Sequence, residues 1–595
     1  MRHQLTLVLA VSLSSCASPT EPAASSSQAA ASISLEPARA LIAEGKPREA
    51  LAELDLVHHA RPDEREAWVL RAQACLAAAQ NDTQPQFYYE DALIAIQTAQ
   101  ALRYDAALDF DAAHAARMLL RVDEAVELAA RAESGVATPT PAQERVLIEI
   151  AFDRYIQAKQ AAAENASELQ TDAEERLLTR LARDPADVWA LNQLANLFLW
   201  EQRNDAAAEV LGQLVRATPD DEAAHKRFAD LLRSVEGPES VVSFYASMRA
   251  EMPQAALAAW FEGAELFELA VNDLAANRDA VERFVRAEEL FVACRAANPS
   301  YESSCKGFEV ICRAGVGWSR FNAGDDEGAE QAFLATEDVF PGGIEWQIEG
   351  RVASGFTGLM YLADRAYRAS KGEFDYLANG KAARLYAKLR AFRPQDAEIA
   401  NNCGFFHRDT GVPMLLHSRE LRAQAARESD AGKRAELEAR AAELETQGRA
   451  VVAACCEAYK ACADLAPDNV RWVNSYALML VYHYPSRAAE AERLLLHCVE
   501  EGERQANDES LSAEEREAVA EGWGDANQNL GMLELVHRKD PIKALMYFQR
   551  SFDIGPRPRI DRRWVEEVAM DWCRKVADGE PLDLVALDPR LYLLE

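Results

Sequence analysis

Between residues 185 and 219 the apolar side chains fall into two groups. Leu191, Leu194, Ala195 and Phe198 lie three or four apart, and Ala207, Leu211 and Leu214 repeat that spacing after a polar stretch. Steps of three and four put side chains on one face of a helix, so the pattern predicts two short amphipathic helices joined by a turn. Pro185, Pro219 and Pro253 punctuate the pattern at intervals of 34 residues. Proline lacks an amide hydrogen and its ring clashes with the preceding turn, so each should stop a second helix and set the entry to the next pair.

The same punctuation recurs along the chain. A small residue, a larger one four places on and a proline eight beyond that occur as Ala50/Leu54/Pro62, Ala173/Leu177/Pro185, Ala207/Leu211/Pro219 and Val241/Tyr245/Pro253. The series continues as Ala287/Phe291/Pro299, Ala329/Phe333/Pro341, Ala382/Tyr386/Pro394, Cys455/Tyr459/Pro467 and Ala544/Phe548/Pro556. One three-point spacing repeated over most of the chain marks an array of equivalent helix hairpins.

Period and marks together resemble the tetratricopeptide repeat, with a large-Leu-Ala-Phe first helix, an Ala-led second helix and a closing proline. The resemblance implies an all-α fold, a right-handed α-solenoid of about ten to twelve stacked hairpins. A single hairpin cannot bury its apolar face alone, and stacking on its neighbours does so. Residues 37–341 read as a first array and 342–577 as a second, with a weak boundary at the turn Pro341-Gly342-Gly343. An insertion spans 412–449, and its 420–445 part, rich in Arg, Glu and Ala, predicts a long exposed helix carrying charge pairs. Residues 501–515 read as a polar loop, 561–576 as a closing helix capped by Asp561, and 578–595 as a tail.

The chain has 595 residues, with 64 Lys and Arg against 97 Asp and Glu, a formal charge of -33. Such a surface repels phosphate backbones, so nucleic-acid binding is not expected as the main role. The acidity reads as a solvated outer face that keeps a long array in solution.

Arg2 and His3 precede an apolar run at 5–13 and then Ser14-Ser15-Cys16. A basic start, a short apolar stretch and small residues form a secretory leader, too short to span a bilayer. The end resembles a bacterial lipoprotein signal. That resemblance implies removal of residues 1–15, acylation of Cys16, and a place on the outer membrane of a double-membraned cell. Residues 16–36, with small polar residues and prolines, read as a flexible tether.

Motifs for chemistry are absent from the sequence. There is no phosphate loop ending Gly-Lys-Ser/Thr, no His-Glu-x-x-His and no Gly-x-Ser-x-Gly. His407-Arg408-Asp409 matches the kinase tripeptide, but Met414 stands where the kinase pattern needs Asn. His58 and His59 read as a solvated helix end. Ten cysteines follow Cys16 without one Cys-x-x-Cys, so neither a zinc knuckle nor a redox motif is supported. Cys294, Cys455 and Cys462 stand where the repeat wants small residues. Bridges Cys294–Cys305 or Cys305–Cys312 remain open in an exported chain. No cofactor, metal or small-molecule substrate is indicated.

In the resembled family the first helices line a concave groove through fixed positions. Here one such position reads Asn192, Lys226, Asn401, Asn474 and Gln528. Asn196, Arg233, Arg408 and Arg471 occupy others. An Asn carboxamide offers a donor and an acceptor, suited to an extended peptide backbone, and Lys226 with Arg233 suits a carboxylate. The same amides can instead bond neighbouring helices or water. The expectation is a non-enzymatic scaffold for protein or peptide segments, anchored to the envelope through Cys16, in complex assembly, secretion or polymer synthesis. A structural spacer, and an enzyme with a site in 401–449, are the alternatives.

Overall fold

The computed structural model describes residues 34–370, 375–554 and 559–594. The leader, Cys16, most of the tether and Pro556 lie outside the described residues. Within them the fold is all-α, an α-solenoid class of stacked antiparallel helix hairpins. The only extended pairing among the described residues is an isolated bridge between Ile348 and Val352. The chain divides into two compact units, one ending at Thr218 and the other beginning at Pro219. The first holds hairpins from Glu36–Ala43 with Pro47–Ala60 to Val188–Trp200 with Asn204–Ala217. The second runs from Glu222–Glu236 with Pro238–Glu251 to Ala513–Leu533 with Pro541–Asp553, followed by a closing segment.

The repeated spacing is the packing code. In all nine occurrences the small residue and its larger partner are buried, from Ala50 and Leu54 to Ala544 and Phe548. Second helices end two residues before the proline at Ala60, Arg183, Ala217, Glu251, Ala297, Phe392 and Leu465. The residue before a proline is driven out of the helical region, which fixes that stop. Several first helices open on side-chain caps. Asp187, Asp221, Asp396 and Asn469 each accept a hydrogen bond from a first-turn amide. At Phe333, Tyr459 and Phe548 a glycine faces the aromatic ring. A Cβ on Gly317 or Gly358 would meet the Phe333 ring at 2.4 Å, and one on Gly531 would meet Phe548 at 2.8 Å.

Buried acids pin successive helices in the second unit. Glu262 receives Arg249 Nε at 2.8 Å and Glu309 receives Arg295 Nε at 2.6 Å, each arginine lying on the preceding second helix. All ten cysteines from Cys75 onward are buried free thiols. Cys294 and Cys305 are both free, without a bridge between them.

Four expectations change. The 501–515 stretch is mostly helical, because Ala488–Ala506 runs on and Ser512 opens Ala513–Leu533 with a capping box. The insertion is two helices, not one. Ala397–Arg427 and Ala431–Leu465 extend a normal repeat into a long hairpin, with a small core of Leu421, Ala441 and Leu444 between its arms. Asp561 lies within the helix Arg559–Trp564 rather than at a cap before it. His58 is not free in solvent but stacks on Trp68 at 3.9 Å, and burial lowers its pKa, while His59 is exposed.

The last residues fold back on the second unit. Leu587 and Leu591 are buried. The Leu594 amide donates to the His483 carbonyl at 2.9 Å, and Arg419 Nη1 donates to the Pro589 carbonyl at 3.0 Å. Arg449 Nη1 donates to the Leu594 carbonyl at 2.5 Å.

Candidate functional site

The residues assigned to the first-helix faces divide by what they touch. Asn192 turns back on its own helix, donating to the Val188 carbonyl at 3.0 Å. Asn196, Lys226 and Arg471 are exposed. Arg233 is exposed but already paired. It grips the buried Glu265 through Nε at 3.0 Å and Nη2 at 2.7 Å, and that hydrogen bonding raises its pKa. Asn474 is buried and accepts from Asn529 Nδ2 at 2.9 Å, so it joins two helices. Asn401 donates to its neighbour Asn402 at 3.4 Å, and Gln528 is half-buried. Asn474 thus bonds a neighbouring helix, while Arg233 reaches the buried Glu265 from an exposed position.

Arg408 leads to a different feature. It lies in mid-helix in Ala397–Arg427 and donates through Nε (3.0 Å) and Nη2 (2.9 Å) to Asp409 Oδ1. The His407-Arg408-Asp409 tripeptide is therefore helical. His407 Nδ1 bonds the Cys403 carbonyl of the same helix at 2.7 Å. Four residues beyond Asp409, Pro413 sits inside the helix. It has no amide hydrogen to give, so the Asp409 carbonyl loses its helical partner. Asn379, on the helix Tyr376–Phe392, donates Nδ2 to that carbonyl at 3.2 Å.

The repair leaves a vacancy in the bonding. Asn379 is buried, with 6 % of its surface exposed, and its Oδ1 has no hydrogen-bond partner among the described residues. A buried acceptor left unpaired costs roughly 1–3 kcal/mol. Asn379 lines a cavity of about 610 Å³ together with Arg408, Asp409, Val412, Pro413 and Leu416 on one side. Leu478, Met479, Tyr482 and His483 line the other, Tyr367 and Ser370 complete it, and Arg590 of the folded-back C-terminal segment reaches its rim.

The walls are electrically closed. Arg408 is matched by Asp409, and Arg590 by the buried Asp588, with Arg590 Nη2 at 2.7 Å from Asp588 Oδ2. Tyr482 donates its hydroxyl to the same Asp588 oxygen at 2.9 Å. Burial holds the Tyr482 phenol far above its ordinary pKa, and so protonated. His483 donates Nδ1–H to the Tyr592 carbonyl at 2.9 Å, and burial pushes its pKa down to about 4, so the ring is neutral at neutral pH with Nε2 as an acceptor. Among the described residues no group of three or more His, Cys, Asp and Glu is arranged to hold a metal, and no helix is long and apolar enough to cross a membrane.

Sequence reasoning singled out Arg408 but missed Asn379, Pro413 and the folded-back segment. A proline inside a stretch otherwise reading as helix was the available signal, because it announces a carbonyl in need of a donor.

No protein-family model and no curated protein matches the chain. Among solved structures it is similar to yeast Tom70, with 13 % identity, a TM-score of 0.22 and coverage of 95 % of this chain and 98 % of that one. It is similar to a human IFIT1 dimer with m7Gppp-AAAA at 12 % identity and a TM-score of 0.24, over 84 % of this chain and 88 % of that one. It is also similar to the TPR domain of P58(IPK) at 16 % identity and a TM-score of 0.18, over 63 % of this chain and 96 % of that one. The site's chemistry rests on the chain's own residues.

Proposed function

We propose that the chain is a non-enzymatic scaffold that captures protein segments on the exposed faces of its first helices, held at a bacterial cell envelope by acylated Cys16. The observation that carries the reading is a division of labour within each hairpin. The apolar and small residues of the repeat are consumed in stacking, while polar side chains such as Lys226 and Arg471 stand in solvent at the face positions of the second unit. A face of that kind binds through shape and scattered polar anchors. The formal charge of -33 favours basic or neutral partner segments over nucleic acid.

The test is cross-linking in isolated envelopes followed by mass spectrometry, with Lys226→Ala/Arg471→Ala as the comparison. Partners cross-linked to the wild type should fall away in the double variant at an unchanged melting temperature. An identical set of cross-links would defeat the face assignment, and no cross-links at all would favour a spacer. Cys16→Ser should release the chain from the membrane fraction, and retention there would defeat the lipid address.

A further inference from the structure

We propose that the cavity between Asn379, the Pro413 segment and His483 is a binding site for a small uncharged molecule that couples an apolar body to an amide or hydroxyl donor. This goes beyond the scaffold reading and does not depend on it.

The donor follows from Asn379. Its Nδ2 is held by the carbonyl that Pro413 leaves open, so the carboxamide cannot flip without losing that bond. Oδ1 is therefore fixed as the free end, buried and without a partner among the described residues. An oxygen in that position accepts and cannot donate. His483 makes the same demand from the opposite wall. Its Nδ1–H is used by the Tyr592 carbonyl, which leaves Nε2 as a lone pair. Two acceptors looking for hydrogens select a ligand that brings N–H or O–H.

The absence of net charge follows from the closed ion pairs Arg408–Asp409 and Arg590–Asp588. Neither pair has a formal charge left to neutralise, and an anion would set its oxygens against Asn379 Oδ1. The apolar body follows from Val412, Pro413, Leu416, Leu478 and Met479, which line the cavity. A volume of about 610 Å³ lies in the range of sites that hold small molecules. The unpaired Oδ1 separates this site from a plain packing defect, which would be lined by hydrocarbon alone.

The probe pair is 4-phenylbutanamide and 4-phenylbutanoate, which differ by a neutral donor against a charge. Titration calorimetry and saturation-transfer NMR on the full chain should show saturable binding of the amide. The acid should bind at least about tenfold more weakly, as a site built to pair a donor rejects an analogue without one. Leu416→Trp, which puts an indole into the cavity wall and narrows the space for a ligand, should weaken amide binding at least about tenfold at an unchanged circular dichroism spectrum. Asn379→Val should bring amide and acid together. Equal binding of the two by the wild type would overturn the proposal. So would amide binding unchanged by Leu416→Trp, or no saturable amide binding at millimolar concentration. The Leu416→Trp arm decides the matter even if Asn379→Val does not fold.

Discussion

Two hairpins of this chain are written in one code and used differently. The pair Val188–Trp200 and Asn204–Ala217 has helices of 13 and 14 residues, and Ala397–Arg427 with Ala431–Leu465 has 31 and 35. At the base they are equivalent. Asp187 and Asp396 cap their first helices, and Pro219 and Pro467 follow their second. Ala195 and Leu211 are fully buried in one, and Gly404 packs against Tyr459 in the other. In the second, a Cβ at position 404 would sit 2.6 Å from the tyrosine ring. Beyond the base the long hairpin adds what the short one lacks, namely Pro413, the open Asp409 carbonyl, the Asn379 repair and anchors for the C-terminal segment. A repeat can therefore keep its stacking contacts intact while its extension carries the irregular chemistry.

The comparison breaks most directly at Tyr459 and Leu211. Tyr459→Ala in the long hairpin should cost about 4 kcal/mol and Leu211→Ala in the short one about 3 kcal/mol, by cavity formation. Urea midpoints read by hydrogen exchange in each hairpin check this. A Tyr459→Ala cost below about 1 kcal/mol would mean that the long hairpin stands on its own arms rather than on the shared base.

Acid should distinguish the extended region next. The folded pKa of His483, about 4, lies below its unfolded value, so the folded state binds fewer protons as pH falls. The contribution of neutral His483 is complete above pH ~6.5 and is lost progressively as pH drops to about 4, a total of about 3 kcal/mol. His483→Asn keeps a donor for the Tyr592 carbonyl but does not titrate. It should therefore lose less stability than the wild type between pH 7 and 4.5. Parallel melting curves would remove His483 as the cause.

A double-mutant cycle tests the proline repair. Asn379→Ala alone should cost about 1–2 kcal/mol, because it leaves the Asp409 carbonyl bare. In a Pro413→Ala background the helix supplies its own amide, and the same change should cost about half as much or less. Additive energies would mean that Asn379 does not answer to Pro413.

The smallest effect concerns the folded-back segment. Arg419→Ala removes donors to the Pro589 and Leu591 carbonyls, a loss of about 1 kcal/mol confined to that segment. The Tyr592 and Leu594 amides, bonded to the Tyr482 and His483 carbonyls, should exchange faster while the exchange of Leu211 stays as it was. Unchanged exchange at Leu594 would show that Leu587 and Leu591 hold the segment without the arginine.

The repeat was legible because its signal is local. A helix stop, a cap and a three-four spacing each act within a dozen residues, so Asp187, Leu211 and Pro219 could be assigned their places one stretch at a time. The long hairpin misled in part, since Arg and Glu spaced for charge pairs also describe a single exposed helix. The buried Leu421, Ala441 and Leu444 between two arms became visible only once the chain reversed.

The cavity belongs to the other category. Asn379 lies 30 residues from the carbonyl it serves and His483 109 residues from the one it meets. No periodicity connects such pairs. Local order along the chain thus determines the hairpins, their stops and the face each must bury, because those depend on backbone geometry and apolar spacing. Which polar groups remain to find partners across the stack, and which stay without one, depends on how distant turns are brought together, and Pro413, Asn379 and His483 acquire their roles there.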